Sequence, residues 1–195
     1  LTRTRGQWAQ RVVVAAAVIV ACVFGYLAYA QSMIWKNTET LFTHVLKHDP
    51  SSHVAMNNLA SLALDRGDAD EAIRLASEAV RLKPSDADAL ITLGAAYGRT
   101  KDYDAGEKAL RTAIGLNPDH PQAYFNLGGI QQMRGNLSDA AAMYRKTVEL
   151  SPAHADAYFQ LARVLLQQGE KDAARSAYES ALELNPRLRG RVPEL

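Results

Sequence analysis

Residues Pro121–His154 read PQAYFNLGGIQQMRGNLSDAAAMYRKTVELSPAH, and the surrounding chain repeats this pattern every 34 residues. Five of the seven prolines fall on that period: Pro50, Pro84, Pro118, Pro152 and Pro186. Aligned on them, the chain gives four units, 53–86, 87–120, 121–154 and 155–188. The seventh position of each unit is leucine, and positions eight and twenty are alanine or glycine. This pattern predicts that each unit forms two helices joined by a tight turn and that the proline ends the second helix.

These units resemble the tetratricopeptide repeat family in their period and in their leucine–glycine, tyrosine, alanine and proline positions. One helical hairpin cannot bury its apolar face alone, so the resemblance implies an all-α solenoid of stacked hairpins. The tryptophan often found at the fourth position of the family is replaced by Met56, Leu90, Tyr124 and Tyr158. Residues 36–52 look like a junction that holds the second half of a preceding unit.

An apolar run precedes the repeats. Residues 12 to 35 carry no charge, and the most apolar 19 of them, 12 to 30, are long enough for a membrane-spanning helix. Arg3, Arg5 and Arg11 precede the run without any acidic residue. The positive-inside rule then predicts that residues 1–11 are a cytoplasmic flank and that 12–35 are a transmembrane helix. The repeats would lie on the periplasmic or lumenal side.

Two other interpretations fit the same run. A basic start, the apolar stretch Val12–Gly25 and the small-residue triplet ending at Ala30 are typical of a cleaved signal peptide. Cleavage there would leave a secreted or periplasmic adaptor. The third interpretation is a buried helix of a soluble fold.

Composition excludes several classes of function. Lysine and arginine number 22 against 21 aspartates and glutamates, so there is no basic excess for nucleic-acid binding. Cys22 is the one cysteine, which excludes an internal disulfide. The sequence has no phosphate-binding glycine loop and no nucleophile motif, so we predict no enzyme activity and no cofactor for this chain. His44 and His48 have the spacing of two metal ligands but lack an evident third, and we predict no metal site.

In the tetratricopeptide repeat family, positions two, five, six, nine, twelve and thirteen of each unit face the concave surface. Here several of them carry amides, which can both donate to and accept from a peptide backbone. The aromatic side chains of Phe125 and Phe159 are expected to be exposed beside them as an anchor surface. The resemblance thus implies a groove for a protein segment or extended peptide, with ordinary solvated amides as the alternative. The predicted binding residues are Asn57, Asn58, Thr92, Phe125, Asn126, Phe159, Gln160 and Arg163.

The junction Trp35–Phe42, WKNTETLF, resembles that of multi-pass GT-C-type membrane glycosyltransferases with C-terminal tetratricopeptide repeats, such as the transmembrane-and-tetratricopeptide O-mannosyltransferases. This resemblance implies an acceptor-recruiting region whose catalytic residues lie in other segments. The main prediction is a membrane-anchored scaffold for protein interaction, with the glycosyltransferase region as the alternative.

The tail after Pro186 is RLRGRVPEL, whose Gly190 and Pro193 disfavour a helix. Solenoids usually end in a polar capping helix. We therefore expect the tail, residues 189–195, to leave the last apolar face without a cap of its own. Three alternatives follow: end-to-end self-association with a second copy, cover by residues outside this sequence, or fraying. We also expect the fourth unit to be the least stable.

Overall fold

The computed structural model describes residues 22–24, 26 and 37–191. Residues 37–191 form nine α-helices, residues 22–24 and 26 are also helical, and no strand occurs among the described residues, as predicted for an all-α repeat fold. The chain divides into two compact units, residues 1–50 and 51–195. The first contains α1 (Thr38–His48). The second contains α2 (His53–Asp65), α3 (Ala69–Leu82), α4 (Ala87–Thr100), α5 (Tyr103–Leu116), α6 (Pro121–Met133), α7 (Leu137–Leu150), α8 (Ala155–Gln167) and α9 (Lys171–Leu184).

The eight helices of residues 51–195 form four antiparallel hairpins. The residues within each turn determine its backbone conformation. Gly67, Gly135 and Gly169 have φ of +84°, +82° and +84°, and Lys101 takes the same left-handed region at +64°. Glycine enters this region at little cost, which explains why it occupies three of these four turns. Aspartates cap several helices, and the Asp68 carboxylate accepts a hydrogen bond from the Glu71 amide at 3.1 Å.

Small residues allow the two helices of a hairpin to approach closely. A Cβ atom added to Gly94 would lie 2.5 Å from Leu110 Cγ, and one added to Gly128 would lie 2.8 Å from Tyr144 Cε1. These glycines are therefore required by packing. They explain why the eighth position of each unit is small.

The core runs through the stacked hairpins as connected clusters. One cluster joins the second and third units through Leu90, Leu110, Leu127 and Ile130. Another joins the third and fourth units and includes Tyr144, Leu165 and Tyr178. Each hairpin thus buries its apolar face against its neighbours, as a repeat fold requires.

A short 3₁₀ helix, Pro186–Leu188, closes the last hairpin. Leu188 is only 3% exposed and packs into the cluster of the third and fourth units. The Tyr178 hydroxyl donates to the Leu188 carbonyl at 3.0 Å and accepts from the Gly190 amide at 3.0 Å. The expectation that the tail leaves the last face uncovered is therefore corrected. Nothing in the described residues supports the predicted end-to-end self-association.

The predicted transmembrane helix, residues 12–35, lies outside the described residues except for 22–24 and 26. Residues 1–11, the signal-peptide cleavage site and residues 192–195 of the tail lie outside them too. Among the described residues, no helix combines the length and the apolar character needed to cross a bilayer. On this finding the predicted localisation, a membrane anchor with periplasmic or lumenal repeats, is wrong.

Candidate functional site

A groove of about 720 Å³ runs along the first helices of the hairpins. We call it the groove throughout. Most of its lining comes from positions five, six, nine, twelve and thirteen of the units, where successive first helices present their side chains. Its lining residues are Leu64, Asp65, Gly94, Ala95, Gly98, Arg99, Tyr103, Phe125, Asn126, Gly129, Ile130, Gln132, Met133, Tyr144, Gln160, Arg163 and Gln167.

One wall of the groove is aromatic. The Phe125 ring stacks on the His154 ring, with centroids 4.8 Å apart, and lies at a tilt 5.7 Å from the Tyr144 ring. The Tyr144 hydroxyl donates to Gln132 Oε1 at 2.9 Å. Burial raises the pKa of Tyr144 to about 12, so this hydroxyl keeps its proton at neutral pH and remains a donor.

Amide and guanidinium groups form the polar side of the groove. Gln122 Nε2 donates to Asn126 Oδ1 at 3.0 Å, and Arg163 Nη1 donates to Gln160 Oε1 at 3.0 Å. The Asn126 amide nitrogen and the Gln160 amide nitrogen are donors that these two bonds do not use. The polar side can therefore offer hydrogen bonds to a ligand without losing its own.

Two glycines of the groove have no packing requirement. A Cβ atom on Gly98 would meet Ile130 at 3.5 Å, and one on Gly129 would meet the Tyr144 hydroxyl at 3.8 Å, both ordinary contacts. Neither residue has a positive φ. Glycine within a helix costs about 1 kcal/mol relative to alanine. Both residues line the groove, so a side chain at either position would take up space in it.

The structure brings together four of the eight predicted binding residues. Phe125, Asn126, Gln160 and Arg163 line the groove, on α6 and α8. All four belong to the third and fourth units, whereas the lining residues from the first and second units lie outside the predicted set.

The other four predicted residues do not line the groove. Asn58 Nδ2 donates to the Val54 carbonyl at 2.8 Å, one turn back along its own helix. Thr92 Oγ1 does the same with the Asp88 carbonyl at 3.0 Å. Asn57 is half-buried, and among the described residues its Oδ1 atom has no hydrogen-bond partner.

Phe159 lies in the core and not on the groove surface. It was expected to be exposed, but it is only 9% exposed and packs in the core, 6.3 Å from the Tyr178 ring. Phe125 is likewise half-buried rather than exposed. These two aromatic rings therefore do not form the expected exposed surface, and only Phe125 contributes to the groove.

Several lining residues lie outside the predicted set. Arg99, Gln132 and Met133 occupy the twelfth and thirteenth positions, which the family pattern already assigns to the concave surface, so that pattern could have found them. Tyr103 and Tyr144 come from the second helices. No sequence signal singled them out, because their access to the groove depends on how adjacent helices cross.

Histidines form polar contacts away from the groove. His53 Nδ1 lies 2.6 Å from Asp86 Oδ2, and His120 Nε2 lies 3.0 Å from Asp88 Oδ1, and each contact joins different elements of the repeat region. In α1, His44 and His48 bring their Nε2 atoms to 3.2 Å. Across the part of the chain that the structure describes, no group of three or more potential metal ligands occurs.

The sequence model of the tetratricopeptide repeat family matches residues 39–89, 91–153 and 131–188. The chain belongs to the tetratricopeptide repeat family. This fold is generally a non-catalytic scaffold, in agreement with the prediction that the chain is not itself an enzyme. The resemblance to GT-C glycosyltransferases is not shown by any of the comparisons.

Solved structures show the same fold. A crystal structure of MamA is 29% identical, covers 75% of this chain and 85% of its own, and has a TM-score of 0.64. The repeat protein TTC0263 of Thermus thermophilus is 23% identical, with coverage of 88% and 94% and a TM-score of 0.72. The first repeat domain of Spaghetti (RPAP3), solved with an HSP90 peptide, is 21% identical, with coverage of 60% and 93% and a TM-score of 0.56. A search of curated proteins finds no match.

Proposed function

We propose that this chain is a scaffold that holds an extended segment of a partner protein in the groove. The observation that carries the proposal is the shape and lining of the groove, which follows successive first helices. An extended segment could run across these helices and meet one set of side chains from each unit in turn.

The chemistry of the lining supports this function. Asn126 and Gln160 occupy the sixth position of consecutive units, and both have amide donors available. Backbone carbonyls of an extended segment are suitable acceptors for such donors. Phe125, Ile130 and Met133 add apolar surface for side chains of the segment, and Met133 is 72% exposed.

A structural neighbour of the same fold binds a peptide. The first repeat domain of Spaghetti was solved with the HSP90 peptide SRMEEVD. Its 21% identity supports only the shared fold, so its particular ligand is not transferred to this chain. The alternative of a glycosyltransferase region rests on the junction resemblance alone, and no observation of the described residues favours it.

The function can be tested by photocrosslinking in the native host. A photoreactive phenylalanine analogue replaces Met133 in the groove or, as a control, Leu116, which is 46% exposed and does not line it. We expect crosslinks from position 133 to one defined partner segment, mapped by mass spectrometry. Asn126→Ala combined with Gln160→Ala should reduce them severalfold without unfolding the chain, because both side chains are partly solvent-exposed.

Two outcomes would contradict the proposal. One is equal crosslinking from positions 133 and 116, which would indicate contact without a site. The other is a crosslink from position 133 that the double amide variant leaves unchanged.

A further inference from the structure

Two histidines bring their rings together near the end of α1. His44 and His48 lie four residues apart, so they share one face of the helix. Their Nε2 atoms are 3.2 Å apart and their ring centroids 4.5 Å apart. His48 is exposed and His44 is half-buried, so a small ion in solvent can reach the pair. Neither histidine lines the groove.

The distance between the two nitrogens suits a metal ion. A zinc–imidazole bond is about 2.0–2.1 Å long, so two imidazole nitrogens on one tetrahedral ion lie about 3.3 Å apart. The separation of 3.2 Å in α1 is close to that value. The spacing needed to hold an ion between the two rings is therefore present in the protein alone.

The same distance permits a hydrogen bond between the rings, in which one Nε2 donates and the other accepts. On an exposed helix face such a bond contributes little, because water competes for both nitrogens. A metal ion binds both Nε2 lone pairs at once. The ring that donated then carries its proton on Nδ1 in place of Nε2, so no proton has to leave the pair.

The pair supplies two ligands and leaves the other coordination positions to water. The prediction of no metal site followed from the lack of an evident third ligand, and the described residues hold no group of three or more. Closed structural zinc sites have four protein ligands, whereas an open site keeps water on the ion. The geometry of α1 fits an open site with two protein ligands.

The ligand type and the position in the helix indicate which ion would bind. Imidazole nitrogen suits zinc, copper and nickel, whereas magnesium and calcium prefer oxygen. His48 is the last residue of α1, where the helix dipole favours positive charge. Lys47 and Asp49 flank it with opposite charges that offset each other.

The other three histidines of the chain have different contacts. His53 and His120 each lie against an aspartate. His154 Nδ1 accepts from the Ala157 amide at the start of α8. Across the part of the chain that the structure describes, only the pair in α1 brings two histidine rings together.

A link across one turn would affect α1 more than any other helix. Every residue of α1 is at least partly exposed, whereas each helix from α2 to α9 buries several residues. Helices with few buried contacts open locally at low cost. An ion that binds only the helical form adds its binding free energy to the stability of that form.

We propose that His44 and His48 form a bidentate site for a late divalent transition-metal ion, which stabilises the C-terminal half of α1. The ion lies between the two Nε2 atoms, and water occupies its remaining positions.

Calorimetric titration of the full chain, prepared without a histidine tag and stripped with EDTA, tests the site. We expect one zinc ion per chain, tighter binding of copper and no binding of magnesium. Nitrogen-15 NMR of the histidine rings locates the ion. Zinc should shift the Nε2 resonances of His44 and His48 and leave those of the other three histidines unchanged.

Two variants test the spacing. His48→Gln should weaken zinc binding by about tenfold or more, because the second ligand no longer acts within the same chain. Thr43→His combined with His48→Gln keeps two histidines in α1 but at adjacent positions, which face different directions. It should bind zinc as weakly as His48→Gln, and Thr43 is exposed, so the exchange disturbs no core contact.

Hydrogen exchange measured by mass spectrometry tests the effect on α1. Zinc should slow exchange of the α1 amides severalfold in the unmodified chain, EDTA should reverse this, and α2 to α9 should not respond. In both variants zinc should leave α1 unchanged.

Three results would overturn the proposal. The unmodified chain could fail to bind zinc, either variant could bind it as tightly as the unmodified chain, or the shifted resonances could belong to other histidines. Binding that requires both histidines but leaves exchange of α1 unchanged would contradict the proposed stabilisation.

Discussion

At the scale of single residues, Lys101 stands where the other three turns have glycine. Its φ of +64° is left-handed, a region that costs a non-glycine residue about 1 kcal/mol. We expect Lys101→Gly to raise the free energy of unfolding by about 1 kcal/mol, measured by urea denaturation. Gly135→Lys, which makes the opposite exchange at the equivalent turn, should lower it by a similar amount. An unchanged or lower stability of Lys101→Gly would contradict this assignment of strain.

Adjacent glycines of α6 should respond to alanine in opposite directions. Gly129→Ala gains helix propensity without a clash and should raise the free energy of unfolding by about 1 kcal/mol. Gly128→Ala places its Cβ 2.8 Å from the buried Tyr144 ring and should lower it by about 1–3 kcal/mol. Thermal and urea unfolding of both variants give the comparison. Stabilisation by Gly128→Ala would show that the Tyr144 ring moves aside freely.

The sequence predicted the type and period of the repeat, but only four of the eight predicted binding residues line the groove, which has 17 lining residues. Position number alone placed both Phe125 and Phe159 on the concave side. Phe159 packs against Tyr178 of α9, and Phe125 makes the equivalent contact with Tyr144 of α7, so position five turns toward the second helix of its own hairpin. A position number does not show such a contact between helices. Helix caps and turn glycines could be predicted from the sequence, because the interactions that determine them involve residues only a few positions apart.

At the scale of helices, the Asp86 carboxylate makes two separate contacts, one with each oxygen. It caps α4 by accepting from the Ala89 amide at 3.3 Å, and its other oxygen lies 2.6 Å from His53 Nδ1 at the start of α2. Asp102 caps α5 in the same way, and no contact between its carboxylate and another helix is described. Capping alone is worth about 1 kcal/mol.

We therefore expect Asp86→Ala to lower the free energy of unfolding by about 2 kcal/mol and Asp102→Ala by about 1 kcal/mol. The difference between the two losses of stability measures how much the contact between His53 and Asp86 stabilises the packing of the first two hairpins. His53→Ala in each background completes the comparison, because it should remove the extra cost from Asp86→Ala and leave Asp102→Ala additive. Equal costs of the two aspartate variants would mean that the His53 contact adds nothing.

The end of the last hairpin shows what helix-level prediction missed. Gly190 and Pro193 disfavour a capping helix, yet within the described residues a single 3₁₀ turn is enough to bury Leu188. That closure depends on the Tyr178 hydroxyl, which bonds to both Leu188 and Gly190. Such a contact depends on tertiary packing, so propensity and spacing could not reveal it.

At the scale of the whole molecule, the stability of the repeat region is distributed along the chain. Its core clusters join neighbouring hairpins. The cluster around Leu127 joins the second and third repeat units, and the cluster around Leu165 joins the third and fourth. In a fold of this kind, stability is approximately a sum of unit and nearest-neighbour contributions. A local loss of packing should then remain detectable as a local loss of protection against hydrogen exchange.

Leu127→Ala tests this distribution most directly. Leu127 is only 1% exposed, so the cavity should lower the free energy of unfolding by about 2–5 kcal/mol. Because its cluster joins the second and third units, amides of α4 to α7 should exchange faster, measured by mass spectrometry. In Leu165→Ala, whose cluster joins the third and fourth units, the faster exchange should instead affect α7 to α9 and spare α2 and α3. Uniform acceleration across all eight helices in both variants would mean that the repeats unfold as one cooperative unit, and nearest-neighbour stability would then be the wrong description.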